Sequence, residues 1–151
     1  MKHTIINEND FQKARNKIRE AEKGGIEIIF SSNDDELNRK ILEKEKIDVL
    51  LLTLSNRKDF MKQRNSSFNQ VLAKLAKKNN VSVGINLDEV LSAKSLKEKS
   101  EILARIRQNI KLCNKNKLKM NFVSNRNINQ YNLKSLGLIL GMPTWMTSAL
   151  A

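Results

Sequence analysis

Apolar positions along the chain recur with two alternating periods. Five short stretches are dense in apolar and β-branched residues: "KHTII" (2–6), "IEIIFS" (26–31), "IDVLLLTL" (47–54), "VSVGIN" (81–86) and "KMNFVS" (119–124). They read as strands. The run at 47–54 has no polar alternation, which suits a strand covered on both faces of a parallel sheet. Between these runs the apolar residues fall at helical spacing. Phe11, Ala14, Ile18 and Ala21 form one stripe, closed by Gly24 and Gly25. Asn33 stands three residues before Glu36, a capping-box pattern that opens the helix "DDELNRKILEKE". Phe68, Val71, Leu72, Leu75 and Ala76 predict an inward face for a helix near 66–79. Ile102, Leu103, Ile106, Ile110 and Cys113 do the same for a long helix near 97–115. A short helix over 133–140 ends at Gly141, and Pro143 bars its simple continuation.

Strand and helix thus alternate, with no long linker and no low-complexity tract. Repeated βα units imply right-handed crossovers and a parallel sheet, either open or curled into a barrel. The fold class predicted for residues 1–151 is a single α/β domain. A full eightfold barrel takes ~250 residues, so there is room for about five or six units, a short or incomplete TIM-barrel-like fold. Such a barrel should leave an uncovered sheet edge or apolar seam.

In parallel α/β folds, function gathers beyond the carboxyl ends of the strands. Here those ends read Asn7, Ser31-Ser32-Asn33, Ser55-Asn56-Arg57, Asn86-Leu87-Asp88 and Ser124-Asn125-Arg126. The rim is mostly amide and hydroxyl, and Ser-Asn-Arg occurs twice on it. Ser and Asn also suit strand-to-loop turns on purely local grounds. Asp34, Asp35 and Asp88 are as easily explained by helix starts.

Catalytic sets are hard to assemble. A hydrolytic metal site needs several converging His, Asp or Glu ligands, and His3 is the single histidine. No Ser-His-Asp set avoids placing His3 at its centre, and Cys113 lies on an apolar helix face, where a cysteine is inert packing. Neither a GxGxxG nor a Walker A loop occurs. Nothing in the sequence points to a self-sufficient catalytic centre.

Charge changes the picture. The formal net charge is +12, and its placement is uneven. Residues 1–48 carry ten Lys/Arg against eleven Asp/Glu, and residues 49–101 ten against five. From Ile102 onward there are eight Lys/Arg and no carboxylate. A Lys- and Asn-rich composition can follow from an AT-rich genome, but that does not strip Glu from fifty residues. The asymmetry favours a polyanionic partner. Arg57, Lys58, Lys62 and Arg64 fall in "NRKDFMKQRN" (56–65), read as an exposed phosphate-binding loop. Arg105, Arg107, Lys111 and Arg126 are read as a second positive surface. Aromatics are few (Phe60 in the loop, Tyr131, Trp145), which argues against base stacking on single strands and for recognition of RNA or DNA by backbone and shape. The lone cysteine suits a reducing compartment. With no apolar h-region at the N-terminus and no membrane-length apolar run, a cytoplasmic location off the membrane is expected.

Four blocks, in order, resemble one known family. They are "DDELNRKILEKEKIDVLLL" (34–52), with its Asn38-Arg39 pair and Asp48-Val49-Leu50; "FNQVLAKLAKKNNVSVGINLDEVL" (68–91); "ILARIRQNIKLCNKNKLKMNFVSN" (102–125); and "LKSLGLILGM" (133–142). Together they look like the archaeal ribonuclease P protein component 3 family, over residues from about 24 to 150. Family members are usually longer. Gly84 stands where a Glu is common, and Ser124-Asn125-Arg126 where Ser-Ser-Gly is usual.

The resemblance implies a barrel related to the polymerase and histidinol phosphatase metalloenzymes but without their metal ligands. It implies a subunit of the ribonucleoprotein that removes the 5′ leader of precursor tRNA. In that complex the RNA performs the hydrolysis with its own bound Mg²⁺, and the protein binds no cofactor. The implied partners are the ribonuclease P RNA, whose catalytic domain the chain helps stabilise, the component 2 subunit, and precursor tRNA through the holoenzyme. The isolated chain is expected to be inactive. Two other readings stay open: an unrelated basic RNA-binding module, ribosome-associated for instance, and a metal-dependent phosphoesterase of the related barrel family.

Overall fold

Five parallel strands pair in chain order, β1-β2-β3-β4-β5, into one open sheet. The structure, a computed structural model, describes residues 2–150. The strands are β1 (His3–Asn7), β2 (Glu27–Ser31), β3 (Val49–Leu52), β4 (Ser82–Asn86) and β5 (Met120–Val123). The helices are α1 (Phe11–Lys23), α2 (Asp35–Lys44), α3 (Gln70–Lys78), α4 (Leu87–Leu91), α5 (Leu96–Lys115), α6 (Gln130–Leu140) and α7 (Thr144–Ser148).

Sequential order with right-handed crossovers sends every connecting helix to the same face. The core divides accordingly. Ile6, Phe30, Leu50, Leu52, Val83, Ile85 and Met120 join the helix residues Ile18, Ile41, Ala73, Ile106 and Met146 in one large cluster. On the opposite face Ile29, Val49 and Leu51 form a second cluster that contains no helix residue. A cavity of about 390 Å³ lies there, bounded by His3 and Glu27 at one side and by Asn121, Val123, Leu133 and Leu150 at the other. This one-sided arrangement is that of a partial barrel. Among the described residues, β1 and β5 each pair on one side only, so the barrel is not closed.

Local chemistry sets the element ends. Asp10, Asn69 and Ser95 cap α1, α3 and α5, each accepting from the N–H three residues on. Asp34, rather than the expected Asn33, caps α2; its Oδ1 takes both Glu36 N and Leu37 N. The apolar run at 47–54 yields only four strand residues, because the Leu54 N–H goes to Glu89 instead of a neighbouring strand. The helix expected near 66–79 starts at Gln70, since Ser66 and Ser67 are buried in loop conformation. Val71, expected inward, is 52% exposed. Gly141, at φ 105°, ends α6 in the left-handed region that favours glycine. Met142 N then donates to Gly137 O, turning the chain into α7, which Pro143 opens. The apolar pattern does not announce α4 and α7; each is five residues long, too short for a periodic signal.

Candidate nucleic-acid interface

The segment between β3 and α3, residues 53–69, is the longest connection in the chain. A loop of this length with no secondary structure is uncommon in a compact domain and is usually functional. This one is held rigidly from below. The buried Arg105 of α5 sends Nη1 to Leu54 O at 3.0 Å. Its Nη2 goes to Arg57 O at 2.9 Å and Asp59 Oδ1 at 3.0 Å. Gln108 Nε2 donates to Arg64 O and Ser66 Oγ, and the buried Asn109 donates to Ser66 O. Glu89 takes Leu54 N and the Ser55 hydroxyl. Two loop residues adopt positive φ without being glycine: Asn56 at 56° and Ser67 at 62°. Ser67 is fixed there by Asp35 on its hydroxyl and by Asn65 Oδ1 on its N–H.

Arg57 belongs to this brace and not to the surface. Its guanidinium faces Asp35 in a two-point pair at 2.8 and 3.1 Å, and it also donates to Thr53 Oγ1 and Thr53 O. Its side chain is 10% exposed. The expectation that Arg57 is open to phosphate is therefore corrected: its partner Asp35 comes from the start of α2, which local sequence could not reveal. Arg105 is corrected on the same grounds, with a side chain only 3% exposed. A helical stripe locates a residue to within a turn. It does not say that a long side chain at its border folds inward to bond carbonyls.

The other six predicted cations lie at the surface. Lys58, Lys62, Arg64, Arg107, Lys111 and Arg126 are exposed. Arg64 shares Asp59 at 3.5 Å; the remaining five have no ion pair among the described residues. Of the six, Lys111 lines a groove between the loop and α5, and Arg64 lines a recess on the other side of residues 63–69. The loop and α5 border a groove of about 560 Å³, lined by Gln63, Phe68, Asn69, Gln70, Gln108, Lys111, Leu112 and Lys115. No carboxylate lines it. Arg107 precedes Lys111 by four residues on α5, and Arg64 meets α5 through Gln108. Arg126 stands apart, beyond the end of β5. Lys115 is visible in the sequence at i+4 from Lys111; its place in the groove is not.

Two carboxylates near the strand ends are held ionised by internal bonds. Asp59 is held below the usual carboxylate range, first by the Asn65 N–H and then by Arg105. Asp88 is lowered by the Ser124 hydroxyl and then the Asn125 N–H. Both acids are thus engaged in internal bonds. Burial pushes the Cys113 thiol up to about 12, so it stays protonated in the core. Among the described residues no three His, Cys, Asp or Glu side chains come together as a metal would require.

Comparison with known proteins gives relatives of one kind. No family model matches the chain. Ribonuclease P protein component 3 of Methanococcus maripaludis is 30% identical over 115 residues, covering 76% of this chain and 45% of that protein. The same protein of Methanothermobacter thermautotrophicus is 28% identical over 138 residues, covering 91% and 53%. Over these residues the chain is similar to archaeal ribonuclease P protein component 3. It spans about half the length of the curated relatives it matches. A chain in the cryo-EM structure of archaeal ribonuclease P with mature tRNA superposes with a TM-score of 0.76 over 94% of this chain and 61% of that one, at 21% identity. That likeness supports the fold: the partial barrel described above is an arrangement also found within a larger chain. No helix among the described residues is long and apolar enough to cross a membrane.

Proposed function

We propose that this chain is a protein subunit of ribonuclease P. It would bind the RNA that cleaves the 5′ leader from precursor tRNA, stabilising that RNA's catalytic domain. The observation that carries the reading is the sequence relationship to component 3, which runs in order through the part of the chain that builds the loop and the groove. The geometry supports an RNA-facing role. A braced loop carries exposed Lys58, Lys62 and Arg64, and α5 presents Lys111 and Lys115 in a groove without carboxylates. Long-range attraction and direct pairing with phosphate both follow from that arrangement.

In this reading the chain supplies position and charge, while the RNA with its Mg²⁺ supplies the hydrolytic chemistry. Lys58, Lys62 and Arg64 contact phosphates from the loop; Arg107 and Lys111 do so from α5, and Arg126 from the β5 rim. Arg57 and Arg105 shape the loop. A component 2 subunit is the expected protein partner, and the complex is cytoplasmic.

Reconstitution tests the proposal. Ribonuclease P RNA from the same genome is assembled with its other protein subunits, with and without this chain, and given a precursor tRNA. Addition of the chain should raise 5′-leader cleavage, most clearly at low Mg²⁺, while the chain alone cleaves nothing. Cleavage that is indifferent to the chain at every Mg²⁺ concentration would overturn the assignment.

A further inference from the structure

The tip of the braced loop carries an apolar surface that the fold does not use. Phe60 is 60% exposed and Met61 fully so. The tip is a tight turn in which Phe60 N donates to Gln63 O at 3.0 Å. Exposed aromatics on a disordered loop would mean little. Here Arg105, Gln108, Asn109 and Glu89 anchor the loop on both sides of the tip, which sets Phe60 outward between the two anchored ends.

Phe60 also forms one wall of a recess of about 360 Å³ between the tip and the starts of α2 and α3. Val71, 52% exposed, supplies a second apolar wall. Gln63, Asn65 and Asn69 line it with amides, Arg39 with a guanidinium, and Asp35 and Glu36 with carboxylates. Of the two carboxylates, Asp35 is taken up by Arg57 and the Ser67 hydroxyl, and Glu36 can accept from a base edge. Asn65 Oδ1 and Asn69 Oδ1 are occupied by internal N–H groups, which leaves their Nδ2 donors without a partner among the described residues. Arg64 stands at its edge.

A flat apolar wall, free amide donors and a cation are what an unpaired nucleotide requires: a face to stack on, donors for the base edge, and a charge for its phosphate. We propose that this recess receives a single unpaired nucleotide of the bound RNA, its base stacked on Phe60. The idea rests on the RNA-binding reading above and deepens it. It departs from the expectation drawn from the scarcity of aromatics, since one exposed aromatic suffices for one base.

The test measures binding of the chain to ribonuclease P RNA transcribed from the same genome, with an unrelated structured RNA of equal length as control. Phe60→Ala should weaken specific binding about 5- to 100-fold, the range for loss of one base–aromatic stack. The salt dependence should not change, because no charge is removed. Phe60→Trp should restore binding to within about twofold, since indole stacks at least as well. Both variants should melt like the wild type. With a photoreactive benzoylphenylalanine in place of Phe60, the crosslink should map to one unpaired nucleotide. Wild-type affinity in Phe60→Ala, alongside a reduced salt slope in a Lys58→Ala/Lys62→Ala variant, would overturn the nucleotide recess and leave the RNA-binding role standing. A crosslink only to protein in the assembled complex would also overturn it. Equal binding of wild type to both RNAs would remove the RNA reading itself, and the recess with it.

Discussion

Asp88 and Glu89, consecutive residues at the start of α4, divide the two Ser-Asn-Arg triplets between them. Glu89 accepts from Leu54 N and the Ser55 hydroxyl at 3.0 and 3.1 Å. Asp88 accepts from the Ser124 hydroxyl and Asn125 N at 2.6 and 2.9 Å. One short helix beyond β4 thereby fixes the loops after both flanking strands. The repeated triplet shares a serine hydroxyl given to a carboxylate; the backbone differs, Asn56 lying at φ 56° and Asn125 not in the left-handed region, and the fate of the arginine differs too. Arg57 is drawn into the brace by Asp35, while Arg126 stays in solvent.

The Asp88 clamp makes stability depend on pH with a definite sign. Its folded pKa lies below the unfolded value of 3.8, so its contribution is full above that value and is lost as pH falls through the folded pKa. Asp59 acts in the same direction. Asp88→Asn keeps the shape and removes the charge. The gap in melting temperature between wild type and Asp88→Asn should be constant from about pH 7 to pH 5, then shrink toward about pH 3. A gap that persists undiminished in acid would show that the carboxylate's charge contributes nothing.

Arg105 should matter for folding first and for RNA second. Its guanidinium satisfies two loop carbonyls and Asp59 from a buried position. Arg105→Met should cost about 1–3 kcal/mol, because buried acceptors lose their charged donor. Proteolysis within residues 56–65 should accelerate in parallel, as the loop loses its anchor. Denaturant titration that finds a change under about 0.5 kcal/mol, the usual size for surface substitutions, would contradict the structural role.

Gly84 explains one departure from the family pattern. A Cβ there would stand 3.0 Å from both Leu51 Cδ1 and Val49 Cγ1 and 3.3 Å from Leu51 Cα. The inner face of the sheet has closed over the space that a side chain would need. Gly84→Ala should therefore destabilise by about 1–3 kcal/mol despite the better strand propensity of alanine, and Gly84→Glu by more. Thermal melts of the two variants check the order; a glutamate that is tolerated as well as alanine would mean that the inner face opens readily.

The fold was legible where one period dominates. The stripe Ala14-Ile18 and the runs at 28–30 and 83–85 announced their elements because burial follows spacing. Ends were misplaced where a side chain from a distant segment took a backbone group, as Glu89 does at Leu54, 35 residues away. The site was legible as charge and only partly as geometry. Exposed Lys58, Lys62 and Lys111 followed from composition and place, whereas the inward turn of Arg57 and Arg105 depends on Asp35 and on carbonyls 48 to 51 residues distant. No local pattern encodes those partners.

That division gives a quantitative contrast in RNA binding. Lys58→Ala/Lys62→Ala/Arg64→Ala should lower the slope of log K against log salt by roughly 0.7–0.9 for each phosphate no longer neutralised, with little change in melting. Arg57→Ala should do the reverse: a loss of about 1–3 kcal/mol in stability and little change in slope near neutral pH. A salt titration at fixed temperature separates the two. Equal slopes for wild type and the triple variant would place RNA on another surface.

The central claim, that this chain serves ribonuclease P through its RNA, is tested most directly by what the chain holds in its own cell. A tagged chain is purified under mild salt and the bound RNA is sequenced. The account predicts that ribonuclease P RNA is the most enriched species and that enrichment falls in the Lys58→Ala/Lys62→Ala/Arg64→Ala variant. Recovery of ribosomal RNA instead, or of no RNA above an untagged control, would contradict it.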